Sequence, residues 1–457
     1  MNQPVRTLDV QSFIDGERFS PCQWLILALC FLAFAADGFD NAAIGYIAPA
    51  LIRDWGVARD ALGSVMSAAL VGVGIGALAA GPLADRVGRK TVLVLSIACI
   101  GVWSLAAAQA HTITVLLVFR FLTGLGLGAA MPTGITLTSE YAPERIRGVV
   151  VNSMICGFSC GMVVGGAASA WLIPHAGWKS VLIAGGVGPC LIALLVAVAL
   201  PESAQFLAVR QDTHARIARI LKRIAPQQQF DNYRFVASQR GEPARGAALA
   251  LVLSPRYLPR TLLLWAAYFL TLIVYYLLVN WMPTLFHDAG FDAQRSALVT
   301  SLFPLGGVIG TIVTGWLMDR FDANRTITFA YVLAALLVFI VGRSVGSAPV
   351  LFGILIFLCG MILTSAATST SAYPARVYPT EARATGVAWV LGVGRTGAVA
   401  GAFLGGELLT LGWRAADVFG LLAVPTLLAG GAVYAVSICL SHARGGEEST
   451  TAAVKHS

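Results

Sequence analysis

Gly81-PLADRVGR-Lys90 and Gly315-WLMDRFDAN-Arg325 are two versions of one loop, each opening where a long apolar run ends. Asp85 in the first and Asp319 in the second stand 234 positions apart. Another pair of loops repeats at nearly the same interval. Glu140-YAPERIR-Gly148 and Val377-YPTEARAT-Gly386 set Glu144 and Glu381 237 positions apart. Two duplications at one offset mean that the chain is built from two halves of one design.

The segments around these loops are apolar runs of about 20 residues, each sufficient to cross ~30 Å of hydrocarbon. Twelve are present, near 24–48, 60–82, 91–110, 112–138, 148–172, 178–200, 261–285, 296–318, 326–343, 348–372, 384–410 and 415–440. The repeated loops follow the second and fourth runs, then the eighth and tenth. Such parallel repeats are related by an axis along the membrane normal, and their substrate sites lie near the midplane between the halves. The predicted fold is therefore all-α and polytopic, with twelve transmembrane helices in two six-helix halves.

Composition agrees. Of 457 residues, 57% are hydrophobic and 12% charged, whereas soluble domains carry about 25% charged residues. Mean hydropathy is +0.77. The net charge of +8 invites a nucleic-acid reading, but its distribution rejects it. Segments on the N-terminal side of the predicted membrane hold 23 of the 31 Lys and Arg, the opposite loops hold 6, and Arg120 and Arg395 fall inside helices. This asymmetry places both termini in the cytoplasm. The basic charge sets topology, and no nucleic-acid partner is expected.

Residues 1–22 lack a basic n-region and cleavage site, so they are expected to be a cytoplasmic tail. Residues 23–200 form the first half, 201–260 a basic linker, 261–440 the second half, and 441–457 a tail expected to be disordered. The linker carries ten Lys or Arg against four Asp or Glu. Within it, Ala215-RIARILKR-Ile224 sets Ile217, Ile220, Leu221 and Ile224 on one face. That pattern predicts an amphipathic helix on the inner membrane surface. The eight cysteines show neither CxxC nor CxxH pairing, so no disulfide framework or metal site is expected.

Asp37 and Asp40 interrupt the first apolar run, Cys22-QWLILALCFLAFAADGFDNAAIGYIAPA-Leu51. A carboxylate at that depth costs roughly 2.5–3.5 kcal/mol on insertion scales. Spaced i, i+3, the two share a helical face. They read either as an interhelical hydrogen-bonding pair or as a proton or substrate site. Arg120 lies about 12 Å into the fourth helix and Asp37 about 16 Å into the first, both from the outer side. Arg395 lies about 16 Å into the eleventh helix from the inner side. All three reach the central slab, where unpaired charge is expensive.

Arginine suits a carboxylate ligand because its planar fork donates two parallel hydrogen bonds. Arg120 or Arg395 would anchor such a ligand; the alternative is that Arg120 only neutralises Asp37 or Asp40. A substrate that takes the arginine leaves an aspartate better able to hold a proton. For a ring, the seventh helix offers Tyr275, Tyr276 and Asn280, and the tenth offers Tyr373. Trp265 and Trp281 are expected at the membrane interfaces. Asp85, Arg86, Arg89, Glu140, Glu144, Arg145, Asp319, Arg320, Glu381 and Arg383 fall at the cytoplasmic seam and are expected to gate rather than bind. The glycines at 72, 74 and 76 and at 124, 126 and 128 predict close helix packing. No GxxxxGK[ST] or HExxH is present, so neither ATP-driven transport nor zinc-hydrolase chemistry has support. The 60-residue linker is too small and basic for a sensor's signalling domain.

Over essentially its whole length the chain resembles the major facilitator superfamily. Gly81, Asp85, Arg86, Gly88, Arg89 and Lys90 are similar to that superfamily's loop 2–3 signature. Arg120-FLTGLGL-Gly128 is similar to its helix 4 motif and Pro201-ESAQF-Leu207 to the motif after helix 6. More narrowly, Asp37-Gly-Phe-Asp40 resembles the DGxD signature of the aromatic acid:proton symporters, which Asn280-WMPTL-Phe286, Arg383 and Arg395 also fit. Two departures stand out. Met162 in Gly157-FSCGMVVG-Gly166 replaces the proline of the drug-antiporter motif, and Asp322-Ala-Asn replaces the Gly-Arg continuation of the second loop. The resemblance implies a multi-pass inner-membrane importer of an aromatic carboxylate, driven by protons, without cofactor and monomeric, with Asp37 and Asp40 coupling the proton and Arg120 favoured over Arg395 as the carboxylate anchor because helix 4 lines the cavity in this superfamily. Transport of another organic anion or a sugar-like metabolite is the alternative.

Overall fold

A computed structural model describes residues 6–210, 214–230, 233–237 and 245–455. A short strand, β1 (Arg6–Asp9), leads into α1 (Val10–Gly16). Six long helices follow: α2 (Pro21–Trp55), α3 (Arg59–Val87), α4 (Arg89–Ala108), α5 (Ile113–Tyr141), α6 (Arg147–Ala176) and α7 (Lys179–Ala199). The linker holds α8 (Ala204–Val209), α9 (His214–Ile224), β2 (Tyr233–Val236) and α10 (Arg245–Val252). Next come α11 (Leu258–Asp288), α12 (Ala293–Arg320), α13 (Ala323–Arg343), α14 (Pro349–Ala372) and the one-turn α15 (Pro374–Val377). Two long helices close the chain, α16 (Thr380–Thr410) and α17 (Ala415–Lys455). Twelve of these helices are long and apolar enough to cross a membrane, in the positions the sequence predicts. The last helix continues to Lys455, through the stretch where composition gives no reason to expect order.

The chain divides into two compact units: residues 1–50 with 68–241, and residues 51–67 with 242–457. The end of α2 and the start of α3 thus group with the second unit. There Arg59 pairs with Asp288 at 2.8 Å, and Ser67 donates to the Val399 carbonyl at 3.1 Å.

The duplication seen in the loops recurs in the packing. A methyl group on Gly38 of α2 would strike the Phe158 carbonyl of α6, and one on Gly161 of α6 would strike that of Ala35. The second unit repeats this between α16 and α11, where Gly397 and Gly401 meet the carbonyls of Phe269 and Ile273. Gly72 and Gly76 of α3 lie against α5, with Gly124 and Gly128 returning the contact, as Gly306 and Gly310 of α12 do with Gly360 of α14. Glycine removes the side chain that would hold two helices apart, so the backbones approach and gain dispersion contacts that lipid cannot offer. Two predicted ladder positions differ: Gly74 meets nothing within 4 Å, and Gly126 faces Ser96 of α4 instead.

Outside the spans, β1 pairs in parallel with β2, Arg6 opposite Tyr233 through Asp9 opposite Val236, a small exception to the all-α expectation. Beside this ribbon, α9 buries Ile217, Ile220, Leu221 and Ile224 in a cluster with Val10, Phe13, Ile14 and Phe230. The apolar face is therefore consumed by protein. The predicted membrane-surface role of that face is corrected, because its side chains already have an apolar partner stronger in packing than a headgroup boundary.

Candidate functional site

The first unit buries the expected charges. Asp40 and Arg120 are each 1% exposed and Asp37 5%. Gly38, which lies between the aspartates, allows α2 and α6 to touch backbone to backbone, so both carboxylates are carried on a tightly held segment. Arg120 of α5 places Nη1 2.9 Å from Oδ1 and 2.9 Å from Oδ2 of Asp40. Only the Oδ1 contact has hydrogen-bond alignment; Oδ2 is held by charge without an aligned donor. Nη2 donates to the Asp40 carbonyl at 3.3 Å. Ser104 of α4, fully buried, donates to Oδ1 at 2.6 Å. Three helices thus converge on one carboxylate. Arg120 Nε, Asn41 Nδ2 and Ser169 Oγ are buried polar atoms without a hydrogen-bond partner among the described residues.

Sequence reasoning singled out Asp40 and Arg120 but missed Ser104. A serine in an apolar helix carries no signal until the fold points it at a carboxylate.

In the second unit Arg395 is half-buried, and its guanidinium makes no ion pair or hydrogen bond among the described residues. Tyr268 packs against Gly394 beside it, close enough for the Arg395 charge to act on the phenol. Tyr275 stacks edge-on against Tyr276 at 5.5 Å and lies 5.9 Å from Phe303. Asn280 is 3% exposed. The expected interface role of Trp281 is corrected: it is fully buried, its Nε1 donates to the Ala402 carbonyl at 2.8 Å, and its ring covers Gly405. Trp265 stacks on Trp389 at 5.7 Å. Tyr373 is also displaced from its expected place in a ring-binding wall. It caps the end of α14 and gives its hydroxyl to Asn324, so its polar atom is consumed at the end of the helix bundle. Tyr331, which the sequence did not single out, bonds both Thr271 at 2.6 Å and Thr370 at 2.8 Å and ties α13 to α11 and α14.

The expected gate residues of the first unit form a connected network. Arg89 pairs with Asp85 at 2.8 Å and with Glu140 at 3.4 Å, and lies over the Phe206 ring at 4.9 Å. The Arg86 carbonyl accepts from Arg210. The Glu144 backbone N–H donates to the Asp15 carboxylate at 2.8 Å, and Arg145 donates to the Glu17 carbonyl at 2.9 Å. The N-terminal segment therefore clasps the α5–α6 loop. Glu202, quoted only as part of a motif, is a missed member: its Oε1 accepts from the backbone N–H of Lys90 at 3.0 Å and of Ser203 at 2.9 Å. In the second unit Arg320 lies over Trp316 at 5.3 Å, and Glu381 and Arg383 are exposed. The side chain of Asp319 lies outside the described residues. Between spans, Tyr378 donates to Thr261 at 2.9 Å, and burial raises its phenol above the usual range.

Charges sunk in spans, a backbone threaded by paired glycines and a doubled six-helix plan are the attributes of a membrane transporter. A family model described as Major Facilitator Superfamily matches residues 30–370 and 264–454. The chain belongs to that superfamily. It is 47% identical over 451 residues to the 4-hydroxybenzoate transporter PcaK of Pseudomonas aeruginosa, covering 98% of this chain and 100% of that one. It is 45% identical over 434 residues to a gallate transporter of Pseudomonas putida, covering 94% and 95%. Among solved structures, the inward-open xylose transporter XylE of E. coli aligns with a TM-score of 0.69 at 15% identity, over 90% of this chain and 95% of that one. At that identity the likeness speaks for the fold alone. The relatives are transporters, and this chain is one rather than an enzyme.

Proposed function

We propose that the protein imports an aromatic carboxylic acid of the hydroxybenzoate or benzoate class in symport with protons, by alternating access, as a monomer in the bacterial inner membrane with both termini cytoplasmic. The observation that carries the mechanism is the contrast between two arginines. Arg120 is already committed to Asp40, whereas Arg395 is half-buried with its fork unengaged among the described residues. Arg395, rather than the favoured Arg120, is therefore the carboxylate anchor, and Tyr268 beside it, with Tyr276 within electrostatic reach of Tyr268, accompanies the ring.

Asp40 is the proton carrier. Its Oδ2 is the oxygen without an aligned donor, so a proton can add there while Ser104 and Arg120 keep Oδ1 in place. Protonation discharges the carboxylate and loosens its hold on Arg120; release of the proton restores the pair. Asp37, one turn away and buried, is the group through which the proton arrives or leaves. One proton per monovalent anion moves no net charge, so accumulation then follows the pH gradient. Asp85, Arg86, Arg89, Glu140 and Glu202 latch one end of the first unit in the conformation described.

Proteoliposome uptake of radiolabelled 4-hydroxybenzoate, benzoate, gallate and xylose, with and without an inward proton gradient, tests the reading. Saturable, gradient-stimulated uptake of the acids and none of xylose is expected, with Arg395→Gln raising KM at least tenfold and Asp40→Asn abolishing accumulation. Uptake of xylose without the acids, or full accumulation by Asp40→Asn, would overturn it.

A further inference from the structure

Two polar side chains on α11 stand out because their neighbours are satisfied and they are not. Thr284 is 1% exposed and its hydroxyl has no hydrogen-bond partner among the described residues. Asn280, one turn earlier, is 3% exposed, and its amide makes no hydrogen bond among the described residues. A threonine in a helix usually donates to the carbonyl four residues back, as Thr271 does here at 2.6 Å. Thr284 forgoes that bond. Trp281, next to Asn280, is fully bonded and locked to α16, so the local backbone is well fixed while the amide is left open. A buried amide or hydroxyl without a partner is costly, and a ligand that supplies the missing bond relieves that cost.

Tyr276, Asn280 and Thr284 follow at i, i+4 and i+8 and therefore share one face of α11, rising about 6 Å per step. Arg395 belongs to the same unit. Gly394, its neighbour, packs on Tyr268, and Gly401 of α16 meets Ile273 of α11, so the two helices run in the same direction. Arg395 starts level with Tyr268, three turns below Asn280, about 18 Å along the axis. An extended arginine side chain spans part of that rise. A hydroxybenzoate anion with a hydrogen bond at each end spans the rest.

We propose that Asn280 and Thr284 form the subsite that reads the ring hydroxyls of the transported acid, and so set its preference for hydroxylated over unsubstituted rings. This rests on the aromatic-acid reading above, with Arg395 holding the carboxylate end. Asn280 supplies both a donor and an acceptor to a para hydroxyl. Thr284, a turn further, supplies a hydroxyl that both donates and accepts, the requirement of a second, adjacent ring hydroxyl. A site built to bond a hydroxyl discriminates against the analogue lacking it, because its own polar groups are then left unpaired.

The test is competition of radiolabelled 4-hydroxybenzoate uptake by benzoate, 4-methoxybenzoate and 3,4-dihydroxybenzoate in proteoliposomes of wild type, Asn280→Leu and Thr284→Val. In wild type, 4-methoxybenzoate and benzoate should compete roughly tenfold more weakly than 4-hydroxybenzoate. Asn280→Leu should erase that ratio by weakening the hydroxylated acids and leaving benzoate unchanged. Thr284→Val should selectively weaken 3,4-dihydroxybenzoate. Equal losses for every acid in the variants, or a wild type that treats the acids alike, would overturn the subsite while leaving aromatic-acid transport standing. A wild type that moves none of these acids would overturn both readings. The wild-type series needs no variant to fold.

Discussion

The buried pair of Asp40 and Arg120 yields an asymmetric double-mutant cycle. Both side chains are 1% exposed, and Nη1 lies 2.9 Å from each carboxylate oxygen. Asp40→Asn removes the anion and strands a guanidinium that cannot shed its proton. Breaking a buried pair in this way costs about 3–5 kcal/mol, and an uncompensated arginine at mid-membrane about 2.5–3.5 kcal/mol on insertion scales. The two routes meet near 3 kcal/mol. Arg120→Gln strands the carboxylate instead, but a carboxylate can take up a proton and become neutral, and Ser104 still donates to it. A loss of about 1–2 kcal/mol is expected there, the cost of unmade hydrogen bonds. The double variant removes both charges and should recover about 2 kcal/mol relative to Asp40→Asn alone, a coupling well above the additivity limit of about 0.5 kcal/mol. Free energies from SDS titration in mixed micelles would measure all four corners. Additive losses, or Arg120→Gln as damaging as Asp40→Asn, would refute the assignment of this pair as a closed ion pair.

Three further perturbations follow from the packing. Ser104→Ala removes a hydroxyl bonded at 2.6 Å to a buried carboxylate and should cost about 1.5–3 kcal/mol; the same SDS titration would show it, and a loss under 0.5 kcal/mol would contradict the hydrogen bond. Gly124→Val drives a side chain into the Ala69 carbonyl and should cost 1–3 kcal/mol or abolish expression, whereas Gly74→Ala, with nothing within 4 Å, should be neutral or slightly stabilising; thermal unfolding followed by a thiol-reactive dye compares them. Gly88 sits at φ +102° and ψ 151°, a region essentially reserved for glycine, so Gly88→Ala should cost about 1–3 kcal/mol. Because a methyl there would also meet the Glu202 carboxylate, Gly88→Ala and Glu202→Ala should couple in the same assay.

Much of this protein is legible in its sequence because bilayer physics is read one residue at a time. A span must hide its backbone polar groups in a helix and its length must match the hydrocarbon, so the twelve spans emerge from hydropathy alone. Repetition and charge patterning supply the two-half plan, and the cost of burying charge singles out Asp37, Asp40, Arg120 and Arg395 as groups in need of a partner. Partnership is different. That Arg120 closes on Asp40 with Ser104 as the third member, while Arg395 is left open, depends on how α2, α4 and α5 pack and on what surrounds α16. The same holds for Trp281 and Tyr373, aromatic residues whose composition suggests membrane edge or ring wall but whose polar atoms are spent on Ala402 and Asn324. The apolar face of α9 likewise looks like a membrane-binding surface until Phe13 and Phe230 cover it. Side-chain chemistry by itself determined which groups needed a partner inside the membrane. Only tertiary packing, by bringing distant helices within hydrogen-bond reach, decided which of them received one within the protein and which, like Arg395, Asn280 and Thr284, make no hydrogen bond among the described residues.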